Sequence, residues 1–84
     1  MTDQDRPRFL QALTELARVF RDPLPPDDAE CYWRLYEPRV TLAEWEYAVE
    51  QAKVDLPYYH VPLPVHMLEY VRAYRQAQRP QEVH

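Results

Sequence analysis

Glycine is absent from all 84 residues, although average usage of about 7% would place roughly six in a chain this long. That absence excludes P-loop phosphate cradles, dinucleotide-binding turns and Gly-containing hairpins, because each needs positive φ or close approach of backbone to ligand. Cysteine is scarce too. Cys31 stands alone, so no internal disulfide can form and packing must carry the stability, as in a reducing compartment. No apolar run approaches the ~20 residues that cross a bilayer, and Met1–Arg8 is polar with mixed charge, unlike a signal peptide. A cytoplasmic protein is expected. Strand-type alternation is short everywhere, and repeats, heptads and low-complexity tracts are lacking.

What is present is helical pattern cut by nine prolines. A composition 46% hydrophobic and 29% charged is globular, and a chain of this length supports one modest core. The first helix is expected to start near Asp5 as N-cap with Pro7 in its first turn, and to bury Phe9, Leu13, Leu16 and Phe20, with Leu10 and Ala17 widening the stripe. Asp22, Pro23, Pro25 and Pro26 end it. A second helix is expected over Asp27–Glu37, with Asp27 and Glu30 as a capping pair and apolar residues spread around more than one face; Pro38 closes it. The third has the clearest start: Thr41 as N-cap, Glu44 as its reciprocal partner, and Val40 stapled onto Trp45. Leu42, Trp45, Ala48, Val49 and Ala52 form its stripe. Leu56–Pro64, with three prolines, reads as an ordered extended connection. Pro64 opens a fourth helix carrying Met67, Leu68, Val71, Tyr74 and Ala77 and ending near Arg79 and Pro80. The expected fold is all-α, a small four-helix bundle or orthogonal helical array with no sheet, one domain over residues 1–80 and a frayed tail over 81–84.

Net charge is −4, which disfavours direct nucleic-acid binding. Met1–Arg21 sums to +1, Asp22–Pro38 to −4, Arg39–Pro57 to −2 and Tyr58–His84 to +1. His60, His66 and Cys31 match no zinc spacing, no pair of carboxylates is set apart for acid–base work, and no enzyme activity, metal or cofactor is expected. Glu30, Glu37 and Glu44 belong to an acidic middle that reads either as a solvated face or as a surface for a basic partner. Arg72, Arg75 and Arg79 recur at helical spacing and read as a solvated face or a docking face. Seven tyrosines and two tryptophans exceed what so small a core holds, and such residues concentrate at interfaces. Tyr32 and Trp45 are assigned to the core. Trp33, Tyr58, Tyr59 and His60 are interface candidates, together with Arg72 and Arg75, the loop aromatics because prolines fix the segment that bears them.

The order of "FLQALTELARVF", a proline-marked polar turn, "CYWRLYE", "TLAEWEYAVEQA" and "LPYYHVPLPVHMLEYVRAYR" resembles the N-terminal helical domain of phage replicative-helicase loaders and inhibitors, in which an aromatic residue and a proline introduce the last helix. The likeness covers Phe9–Arg75 and lies in hydrophobic spacing. It implies a non-enzymatic phage or prophage adaptor in the cytoplasm of a bacterial host, acting in DNA replication by contact with a hexameric replicative helicase. Such proteins often use a disordered C-terminal region for that contact, and this sequence stops soon after the last helix. The alternative is an inhibitor of a host nucleic-acid machine, of the anti-CRISPR or polymerase-binding kind, with the acidic middle blocking a basic groove.

Overall fold

The computed structural model describes residues 1–55, 61–62 and 64–78. They form a 3₁₀ turn, Asp3–Asp5, and four helices, α1 (Arg6–Val19), α2 (Pro26–Tyr36), α3 (Leu42–Asp55) and α4 (Pro64–Gln78), with no strand among them. The all-α expectation holds. Each helix starts where proline or a cap directs it. Pro7 lies in the first turn of α1, and Asp5 stands at its N-cap without a side-chain capping bond; the Asp5 carboxylate instead accepts the Thr2 N–H at 3.0 Å. The expected Asp27–Glu30 capping pair does not form. Pro25 is the N-cap of α2 and Pro26 supplies the preset φ of its first turn, which starts the helix one residue early and frees Glu30 for ion pairs with Arg6 and Arg34.

At the start of α3 the reciprocal cap forms as expected: the Thr41 N–H donates to Glu44 Oε1 at 2.8 Å and the Glu44 N–H to Thr41 Oγ1 at 3.2 Å. The α2 carbonyl end is equally well served. Val40 N–H reaches Tyr36 O at 3.1 Å, the Arg39 guanidinium reaches Leu35 O at 2.6 Å, and the Met1 ammonium reaches Glu37 O at 2.8 Å. These bonds satisfy acceptors that a helix end otherwise leaves to water.

In space the helices follow the order α2, α1, α3, α4, with α3 packed on both α1 and α4. Arg8 bonds Glu46 and Lys53 bonds Glu15, so α1 and α3 run parallel; Tyr74 lies against Tyr47 and Arg75 against Glu44, so α4 returns antiparallel. Lying between two neighbours, α3 buries Ala48 and Ala52 completely, small side chains that permit close axial approach. The core is aromatic at one end. Phe9 stacks on Trp45 at 4.6 Å, meets Trp33 edge-on at 5.2 Å and approaches Tyr36 at 6.1 Å. The Trp45 indole N–H donates to Phe9 O at 3.3 Å. Leu13, Leu16, Val49, Met67 and Val71 continue the core.

Candidate functional site

The residues named from sequence scatter. Trp33 is buried at 3% exposure beside Phe9, which corrects its assignment to an interface; Tyr32, assigned to the core, packs against its edge half-buried, its ring stacked on Tyr36. The apolar residues of α2 surround the helix, and the positions of α1 and of Trp45 on α3 decide which of them are covered. Cys31 is exposed. Tyr58, Tyr59, His60, Arg79 and the 81–84 tail lie outside the described residues.

Glu44 and Arg75, read as parts of an acidic and a basic surface, are partners. Arg75 Nε donates to Glu44 Oε2 at 2.5 Å, Nη2 donates to Oε1 at 3.1 Å, and Nη2 also reaches Arg39 O at 2.7 Å. Glu44 is 6% exposed, which removes it from any acidic surface. The Arg75 hydrogen bonds, outweighing burial, and the Thr41 N–H hold its carboxyl below the ordinary 4.5. Glu30 is held between Arg6 of α1 and Arg34 of α2. Glu37 is half-buried, while Arg72 is exposed on α4.

Two surface grooves flank α1. One, of about 290 Å³ between α1 and α3, is lined by Arg8, Gln11, Glu15, Glu46 and Glu50. Its charges are already matched, Arg8 to Glu46 and Lys53 to both Glu15 and Glu50. The other, of about 470 Å³, lies between α1 and the start of α2 and is lined mainly by apolar groups: Leu10, Ala17, Leu24, Pro26 and Ala29, with Thr14, Arg18 and Asp22. Leu10, Leu24 and Ala29 are half-exposed, so this floor is wet in the free protein. Asp27 and Asp28 are exposed in the first turn of α2 and are not among the residues that line the groove. Burial, and then the carboxylates of Asp22 and Asp28, push the neighbouring Tyr32 hydroxyl up.

The α1/α2 groove is the candidate site, and its residues were not singled out from sequence. Leu24 carried the available signal, an apolar side chain set among three prolines in a polar turn. Among the described residues no group of three or more His, Cys, Asp or Glu is arranged to hold a metal ion, and no helix is long and apolar enough to cross a membrane. No protein-family model, curated protein or solved structure matches the chain.

Proposed function

We propose that this protein is a non-enzymatic adaptor that acts by protein–protein contact, with a hexameric replicative helicase of a bacterial host as its partner. The observation carrying the contact reading is the α1/α2 groove, where Leu10, Leu24 and Ala29, packed against the core on one side, are partly open to solvent on the other. An occupant gains burial of that open side at small entropic cost, because helix backbone and proline-fixed turn have little freedom left to lose. The helicase as partner rests on the resemblance of helix order and spacing to phage loaders and inhibitors. The blocking-inhibitor alternative loses ground because Glu44 is buried and Glu30 already has two arginine partners.

Size-exclusion chromatography with light scattering tests this reading, using the purified chain mixed with a hexameric replicative helicase from a phage-host bacterium. Co-elution is expected for the native protein and is expected to be lost in Ala29→Arg, which places a charged stem in the groove while circular dichroism stays helical. Separate elution of the native chain from the helicase would overturn the partner assignment. Undiminished co-elution of the variant would overturn the groove as the contact.

A further inference from the structure

We infer, independently of the adaptor reading, that this chain exchanges its first helix with a second copy of itself, the 3₁₀ turn and α1 swinging out about Arg21 to pack on α2 and α3 of the other copy.

Backbone geometry sets the pivot. Arg21 holds φ at 54°, the one positive value among the described residues of a chain without glycine, and a Cβ makes that conformation unfavourable. Its neighbours cannot share the reversal. Asp22 precedes Pro23, and Leu24 and Pro25 each precede another proline, which biases all three toward extended backbone; Pro25 lies at ψ 152°. The two sides of Arg21 are also held differently. Downstream, the Asp22 carboxylate accepts the Val61 N–H at 2.9 Å and ties the turn to the connection that leads into α4. Upstream, the end of α1 is joined to the turn by two backbone bonds, Arg21 N–H to Arg18 O and Asp22 N–H to Ala17 O. Turning Arg21 to negative φ returns those groups to water and removes the left-handed cost. Pro23 keeps α1 from growing onward as a helix, so the open form is extended, and short hinges under strain invite exchange.

The contacts of α1 favour a second copy as the acceptor. Each of its main bonds crosses the turn: Trp45 Nε1–H to Phe9 O at 3.3 Å, Arg8 to Glu46 at 2.8 Å, Lys53 to Glu15 at 3.5 Å, and Arg6 to Glu30. Phe9 likewise meets Trp33 and Trp45. A second copy offers the same partners, so exchange rebuilds the closed core and needs no new apolar surface. Association costs the freedom of one chain. Monomer therefore prevails when dilute, and the exchanged dimer forms on concentration.

The full chain, unfolded in urea, is refolded at about 10 μM and at about 1 mM, the range in which association competes with folding, and resolved by size-exclusion chromatography with light scattering. Monomer is expected at the lower concentration and a dimer beside it at the higher. Lys53 is the only lysine, so a carbodiimide joins it to Glu15 across the α1/α3 contact. In an exchanged dimer refolded from heavy-isotope and light chains, that link is expected to join one chain to the other and to survive on a denaturing gel; in the monomer it lies within one chain. Arg21→Asn and Arg21→Val remove the same charge, yet asparagine tolerates left-handed backbone and valine does not. The dimer-to-monomer ratio is expected to be about tenfold higher in the valine variant than in the asparagine variant, with the native chain between them. Monomer alone from the native chain at the higher concentration, a dimer whose Glu15–Lys53 link stays within single chains, or equal ratios across the three proteins would overturn the inference.

Discussion

Arg21 holds φ at 54°, in the left-handed region that glycine normally occupies, in a chain that has no glycine. Its N–H donates to Arg18 O at 3.2 Å and the Asp22 N–H to Ala17 O at 2.8 Å, the paired bonds of a Schellman end to α1. Two more backbone carbonyls are thereby satisfied, against a steric cost of ~1 kcal/mol or more for a side chain with a Cβ. Arg21→Gly is therefore expected to stabilise the protein by about 0.5–1 kcal/mol, read as a higher urea midpoint at unchanged slope; a lower midpoint would contradict the left-handed assignment. Tyr36 is a second residue held against local preference. Its hydroxyl is buried without a hydrogen-bond partner among the described residues, and burial pushes its pKa far up. The ring contacts to Phe9, Tyr32 and Trp45 offset an unsatisfied group that costs ~1–3 kcal/mol. Neither feature was legible in sequence. Arginine gives no warning of left-handed geometry, and a tyrosine on a helix with apolar residues all round does not declare which way it faces.

The start of α3 shows what sequence does and does not reveal about an element. Thr41 and Glu44 are three residues apart, so their reciprocal cap is a local pattern and can be read directly. Arg75 is 31 residues from Glu44, and its bond to the same carboxylate depends on α4 folding back along α3. The two bonds together make Glu44 both the cap of one helix and the tether of another. Its carboxyl pKa lies below the unfolded value of 4.5, so its contribution is present above that pH and is lost as pH falls through the folded pKa. Glu44→Gln, which cannot ionise, is expected to cost about 1–2 kcal/mol at neutral pH. It should also flatten the decline of stability between about pH 5 and pH 3. Denaturant titrations of both proteins across that range check the point: parallel pH profiles would mean that the Glu44–Arg75 bonds do not govern the acid limb. The starts of α1, α3 and α4 were legible because Pro7, Thr41 and Pro64 mark them, whereas the start of α2 shifted by one residue because Pro26 outranks an aspartate as a starting signal.

At the scale of the whole molecule, the spatial order α2, α1, α3, α4 leaves α2 attached chiefly through α1, by the aromatic contacts of Trp33 and Tyr36 at one end and the half-filled groove at the other. All four helices contribute to the core, α2 through Trp33 and Tyr36, and the far end of α2 borders the groove. That arrangement depends on how α2 crosses α1, which no local pattern encodes, and so the groove lay beyond the sequence even though Leu10, Leu24 and Ala29 are plain in it. The central claim, that this surface is where a larger protein is engaged, has a direct test in amide hydrogen exchange of the chain alone and mixed with the hexameric helicase. The account predicts slowed exchange confined to Leu10–Arg18 of α1 and to the first two turns of α2, with α4 unchanged. Protection on α4 around Arg72, or none anywhere in the chain, would contradict it.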